Sequence, residues 1–126
     1  MTKPFFSIII PALNEEKYLP KLLTDLSNQT FKDFEIIIVD GKSSDNTISK
    51  AKEFSKHLPL LKIITSDIRH VCAQRNLGAK EAVADILIFS DADNRLPIYF
   101  LQGIKYRYET TGADLLSPYF IPDIKT

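Results

Sequence analysis

The run Ile86-Leu87-Ile88-Phe89-Ser90-Asp91-Ala92-Asp93-Asn94 decides how this chain is read. Its first five residues read as a buried strand and run directly into two carboxylates one residue apart. A continuous apolar run of this kind suits the centre of a parallel sheet covered on both faces. Acidic side chains at the end of such a strand must reach solvent or a cation. Asp91 and Asp93 can converge on one ion when the chain turns at Ala92, and Mg²⁺ is commonly held by one or two carboxylates together with substrate phosphates. The same Asp-x-Asp-Asn run also suits plain turn chemistry. The stretch alone leaves both readings open.

Outward from it, the chain alternates strand and helix patterns. Phe5 to Ile10 reads as a first strand stopped by Pro11. Asn14 is placed to cap the next helix, with Glu15 and Glu16 near its positive end. Pro20 is tolerated only in a first turn, so the regular helix starts near Leu19. Leu19, Leu22, Leu23 and Leu26 then form one apolar stripe. Phe34 to Val39 is a second strand, ended by Asp40-Gly41, where Gly41 permits a backbone conformation that a side chain would oppose. Ser44 or Asp45 caps a helix running to about His57, with Ile48, Ala51, Phe54 and Leu58 inward. Leu60 to Thr65 is a third strand. Val71 to Val83 is a helix with Gln74-Arg75-Asn76 on its polar side and Gly78-Ala79 as a face for close packing against the sheet. Pro97 to Thr110 is a further helix, ended by Gly112, and Asp114 to Tyr119 begins a fifth strand. The tail from Pro118 to Thr126 reads as cut off before the domain ends.

Bulk properties set limits on function. The chain has 126 residues, 44% of them apolar, and 16 basic against 16 acidic side chains cancel. A nucleic-acid role therefore has no electrostatic support. The single cysteine, Cys72, cannot form an internal disulfide, which points to a reducing compartment; beside Val71 and Ala73 it reads as a small packing residue. His57 has no neighbouring ligand and reads as a solvated surface residue. No apolar run approaches the ~18 residues a membrane span needs. Pro11 and the Asn14-Glu15-Glu16 run argue against a signal peptide. The expected location is the cytoplasm, at the membrane face if an anchor follows Thr126.

Strands alternating with helices imply a parallel sheet with helices on both faces. Ligands bind such sheets outside the carboxyl ends of the strands, where strand order reverses. If the first and fourth strands are neighbours, residues 11–15, 40–44 and 91–94 share one crevice. Asp91 and Asp93 supply a cation site there, Arg75 or Lys42 a fixed positive charge, and Asp40 an acceptor for a base N–H. Neither G-x-G-x-x-G nor G-x-x-x-x-G-K-[ST] occurs, so phosphate binding through a glycine-rich loop is poorly supported.

Four motifs in order now resemble a known family: Ser7-Ile-Ile-Ile-Pro-Ala-Leu-Asn-Glu-Glu16, Ile38-Val-Asp-Gly-Lys-Ser-Ser-Asp-Asn-Thr47, Arg75-Asn-Leu-Gly78 and Ser90-Asp-Ala-Asp93. Together they are similar to the family 2 glycosyltransferases of GT-A fold, over nearly the whole chain. The resemblance implies an α/β, Rossmann-like GT-A fold: a mostly parallel sheet, helices on both faces, three layers. The chain would be the nucleotide-diphospho-sugar-binding part, with the acceptor part after Thr126. Pro11, Ala12, Asn14 and Glu15 would line the nucleoside pocket, and Asp40 would bind the base, usually uracil. Lys42, Arg75 and Ala92 would lie against the nucleotide-sugar. Asp91 would contact the ribose or metal-bound water, and Asp93 would ligate Mn²⁺ or Mg²⁺ bridging the diphosphate. The implied reaction is an inverting transfer from a nucleotide-diphospho-sugar, of UDP type, to a saccharide, lipid or protein acceptor. Gly41 stands where many members carry a second acidic residue, which leaves the base open. The general base would follow Thr126; Asp114 and Asp123 are nominal candidates outside the family's acidic motif.

Simpler readings stand beside these. Asn14-Glu15 serves equally as a helix cap, Asp40-Gly41 as a turn, and Arg75 as part of a solvated helix face. A nucleotide-binding module without turnover, lacking the acceptor half, is the alternative function. A haloacid-dehalogenase-type phosphatase would place Asp-x-Asp after its first strand, and a nucleotidyltransferase would show a glycine-rich start. Neither pattern is present.

Overall fold

The computed structural model describes residues 2–112. In chain order the elements are β1 Phe6–Ala12, α1 Leu19–Ser27, β2 Phe34–Asp40, α2 Thr47–Lys52 followed by a 3-10 turn at Glu53–Lys56, β3 Leu61–Thr65, α3 Val71–Glu81, β4 Ile86–Phe89 and α4 Phe100–Thr111. The strands form one parallel sheet in the order β3-β2-β1-β4. The alternation and the parallel pairing are as the sequence predicts.

Alternate residues of β1 and β2 feed two cores. Ile8, Ile10, Ile36 and Ile38 pack under α1, α2 and α4, together with the fully buried leucines 19, 22, 23 and 26 and with Ala51 and Leu101. Burying each such leucine contributes about 1.5–3 kcal/mol. On the opposite face Ile9, Ile37 and Val39 meet Leu77 and Ala79 of α3. Helices on both faces of one sheet make three layers. Gly78 is where α3 comes closest: a Cβ there would lie 2.5 Å from Ile9 Cγ2 and 3.0 Å from Val39 Cγ2. Close packing is the reason for this glycine, as expected.

Several boundaries differ from expectation. β1 runs through Pro11, because Ile9 O accepts from Ser90 N on the β4 side and Pro11, two residues on, faces that side beyond the last β1–β4 pair. Its missing N–H therefore costs no ladder bond. Asn14 does not cap α1. The helix starts at Leu19 under the control of Pro20, its N-cap residue Tyr18 makes no side-chain cap, and Asn14 sits at φ 53° with Oδ1 accepting from Ser44 N at 2.8 Å. α3 stops at Glu81, since Val83 N and Ala84 N turn away to Glu35 Oε2 and Ser7 Oγ. Residues 97–99 form a turn before α4, with Phe100 N donating to Pro97 O.

β4 is the main correction. Among the described residues it pairs with β1 alone and its burial alternates, where a strand covered on both faces is expected. Ile86 and Ile88 face the larger core, whereas Leu87 and Phe89 are exposed. Cys72 is exposed too, because it lies in the first turn of α3 on the side away from the sheet. Gln74 is not on the solvent side with Asn76 but buried. The expected fifth strand at Asp114 to Tyr119, and the nominal bases Asp114 and Asp123, lie outside the described residues.

Candidate functional site

β1 is followed in the sheet by β2 and β3 on one side and by β4 on the other, so strand order reverses at the β1–β4 seam. A cavity of about 340 Å³ opens there, at the carboxyl ends of the strands. Pro11, Ala12, Leu13 and Glu15 supply one wall and Asp91, Ala92 and Asp93 another. Arg69, Val71 and Gln74 close it from the α3 side. Its position is the one general α/β topology assigns to a ligand.

The loops around it are cross-linked. Gly41 N donates to Ala12 O at 2.8 Å, Asn14 N to Ser43 Oγ at 2.8 Å and Glu15 N to Thr47 Oγ1 at 2.8 Å. The acidic loop is held from both ends. Asn94 Nδ2 donates to Ser90 Oγ at 3.2 Å, and Asp25 of α1 accepts from Arg95 Nε at 2.8 Å and Leu96 N at 2.9 Å. Gln29, fully buried, donates to Pro97 O and accepts from Leu101 N, tying α1 to the next stretch. Ala92 is buried while Asp91 and Asp93 are exposed on either side of it.

Electrostatics mark the same spot. The Glu15 carboxyl is pushed above its usual 4.5, first by burial and then by the charges of Asp93, Asp45 and Asp91. The three aspartates thus place like charges near Glu15. Asp91 Oδ1 accepts from Arg75 Nη2 at 3.1 Å, whereas Asp93 has no ion pair among the described residues. No group of three or more His, Cys, Asp or Glu side chains that could hold a metal occurs among the described residues. Two carboxylates suit a cation that completes its shell from phosphate and water, as Mg²⁺ commonly does.

Six of the ten residues singled out from sequence line the cavity: Pro11, Ala12, Glu15, Asp91, Ala92 and Asp93. The other four stand behind or beside it. Asp40 is fully buried, with Oδ2 accepting from Ser43 N at 2.9 Å and Oδ1 from Ser43 Oγ at 2.6 Å. Asn14 braces Ser44, and Arg75 orients Asp91. Lys42 is exposed and paired with Asp67 Oδ1 at 3.0 Å. It is Lys42, at φ 63°, rather than Gly41, that takes the left-handed conformation in this turn. Gly41 leaves room: a Cβ there would lie 3.3 Å from Gln74 Nε2.

Sequence reasoning missed Arg69 and Gln74. Arg69 donates from Nε to Gly41 O at 2.9 Å and from Nη2 to Lys42 O at 2.7 Å. It sits in a link with no periodicity, so no pattern points to it. Gln74 had one available signal, its spacing of four from Gly78 on the face of α3 that meets the sheet.

Comparison with known proteins agrees with this geometry. The family described as "Glycosyl transferase family 2" matches residues 7–122. The chain is 41% identical over 92 residues to a dolichyl N-acetyl-alpha-D-glucosaminyl phosphate 3-beta-D-2,3-diacetamido-2,3-dideoxy-beta-D-glucuronosyltransferase of Methanococcus voltae, covering 70% of this chain and 29% of that protein. It is 40% identical over 97 residues to a PGL/p-HBAD biosynthesis glycosyltransferase of Mycobacterium bovis, covering 76% and 38%. A crystal structure of S. aureus TarS 1-349 in complex with UDP superposes with a TM-score of 0.82 at 29% identity, covering 90% of this chain and 34% of that one. The chain spans about a third of the length of the proteins it matches. With a parallel sheet of GT-A type and a match over most of its length, the chain belongs to glycosyl transferase family 2.

Proposed function

We propose that this chain binds a nucleotide-diphospho-sugar, of UDP type, in the cavity at the β1–β4 seam and acts in transfer of its sugar to an acceptor with inversion. The observation that carries the reading is the convergence of Glu15, Asp91 and Asp93 on one cavity where strand order reverses. The TarS structures in complex with UDP and with UDP-GlcNAc, at 29% and 27% identity, support the choice of donor.

In this reading Pro11, Ala12 and Glu15 face the nucleoside, and Asp40, buried behind them with both oxygens bonded to Ser43, acts on base recognition by fixing the turn that borders the pocket. Arg75 holds Asp91 in place. Asp93 and Asp91 would hold a divalent cation, Mn²⁺ or Mg²⁺, and the chemistry it supplies is neutralisation of the charge gathering on the departing diphosphate. The acceptor hydroxyl attacks the anomeric carbon from the face opposite the diphosphate, the anomeric C–O bond breaks, and the nucleoside diphosphate leaves with the bonding electrons. The proton lost by the hydroxyl goes to a base outside the described residues. The acceptor is a saccharide, lipid or protein. No helix among the described residues is long and apolar enough to cross a membrane, and the exposed free thiol of Cys72 fits the cytoplasm, where we place the chain.

Calorimetry of UDP with Mn²⁺ tests the site. Binding by the wild type, and its loss in Asp93→Ala and Asp40→Ala, is the expected result; equal affinity in all three would overturn the assignment. The second reading is a module that binds nucleotide without turnover. UDP-sugar consumption by the chain, alone or with added acceptor, separates the two.

A further inference from the structure

We infer that Gln74 is a positioning residue of the nucleotide pocket, its side-chain amide bracing the carboxyl ends of β1 and β2 against each other; this rests on the nucleotide-diphospho-sugar reading above. Gln74 is 4% exposed and lines the cavity wall. Nε2 donates to Val39 O at 2.9 Å and to Ala12 O at 3.1 Å. Those carbonyls lie at the ends of the two central strands, one residue before Asp40 and three before Glu15. Ala12 O also accepts from Gly41 N. One amide nitrogen therefore bonds the ends of both β1 and β2, and it shares the Ala12 carbonyl with the turn that follows β2.

Two glycines make the arrangement possible, each for a different reason. Gly78 lies one helical turn after Gln74 on the same face of α3 and brings the helix into contact with Ile9 and Val39. Gln74 can then span the remaining distance to the strand carbonyls. Gly41 leaves open the space beside the amide: a Cβ there would stand 3.3 Å from Nε2 and 3.6 Å from Ala12 O. A contact that tight makes the amide give by a few tenths of an ångström, at the expense of bonds already at 2.9 and 3.1 Å. Gly41 and Gln74 thus act as a pair. The pocket wall is set by an amide that needs a glycine opposite it.

The test is a double-mutant cycle on the full chain, read by UDP affinity with Mn²⁺ and, in parallel, by the urea unfolding midpoint. Gln74→Leu keeps the bulk and removes the donors; UDP affinity is expected to fall about tenfold, as loss of bonds that hold a site in place does. Gly41→Ala is expected to fall severalfold, and the double variant no further than Gln74→Leu alone. A brace that serves only folding lowers the urea midpoint and leaves UDP affinity unchanged in the folded fraction, and that result overturns the proposal. So do losses that multiply in the double variant. Should Gln74→Leu not fold, Gly41→Ala decides alone: unaltered UDP affinity overturns the pairing. If the wild type itself binds no UDP, the nucleotide reading fails first, and Asp93→Ala, equally silent, identifies that case.

Discussion

Arg75 and Asp91 form an ion pair across the cavity edge, Nη2 to Oδ1 at 3.1 Å, which joins helix α3 to the loop after β4. The two carboxylates of that loop are therefore unequal: one is held by a cation of the protein, the other stands without one among the described residues. Arg75→Ala should weaken UDP binding with Mn²⁺ by up to about fivefold, since Asp91 loses the solvent-screened ion pair, worth about 0.2–1 kcal/mol, that orients it. Arg75→Lys keeps the charge but on a shorter reach than this single Nη2–Oδ1 contact spans, and should recover part. Calorimetry on both variants checks the order wild type, lysine, alanine.

The raised Glu15 carboxyl makes a prediction with a definite sign. Its pKa in the folded chain lies above the ordinary 4.5, through burial first and then through Asp93, Asp45 and Asp91. Folding therefore favours the protonated form, and charged Glu15 costs stability at every pH above the folded pKa. That cost disappears as pH falls through the folded pKa towards 4.5. Glu15→Gln should accordingly raise the thermal midpoint at pH 7 and leave it unaltered near pH 4. Added Mg²⁺, by offsetting Asp93 and Asp91, should bring the Glu15 titration down towards 4.5, which carboxyl NMR can follow.

At the amino end of the sheet Glu35 has the opposite sign. Burial pushes its carboxyl up, but the Ser7 hydroxyl, the Val83 N–H and the Lys62 ammonium at 3.2 Å outweigh it and hold the pKa below 4.5. This carboxylate contributes stability that is fully present above the unfolded-state pKa and lost as pH falls through the folded one. Glu35→Ala leaves a buried hydroxyl and N–H without their acceptor and should cost about 2–3 kcal/mol at pH 7. Urea unfolding at pH 7 and pH 3 should show the gap between wild type and Glu35→Gln narrowing in acid.

Gly78→Ala opposes a helix preference to a steric limit. Alanine is favoured by about 1 kcal/mol in a helix interior. Its Cβ, however, would sit 2.5 Å from Ile9 Cγ2, and overpacking of this kind costs about 1–3 kcal/mol or more. The net expectation is destabilisation of about 1–2 kcal/mol, with partial recovery in the Gly78→Ala, Ile9→Val double variant. A gain in stability from Gly78→Ala would show that α3 can move away from the sheet.

Much of this was legible in the residues themselves, and the rest was not for identifiable reasons. Phe34 to Val39 announces a buried parallel strand because both faces need apolar cover, and β2 has it. Ile86 to Phe89 reads the same way, yet β4 lies at the side of the described sheet; an apolar run says what could be covered, not what is. Asp91 and Asp93 were legible because two carboxylates at a strand end demand an explanation. Gln74 was not, because a polar residue in a weakly amphipathic helix looks solvated until the neighbouring strand ends are in place. Asn14 misled because helix caps and left-handed turns draw on the same side-chain chemistry.

The order of the strands also bears on how the molecule is made. β1 meets β2 after a short helical connection, whereas its other neighbour, β4, comes from the far side of β3 and α3. Loop-closure entropy places that pairing late. The ligand cavity lies along this late-closing seam, so a bound nucleotide should slow unfolding more than it speeds folding.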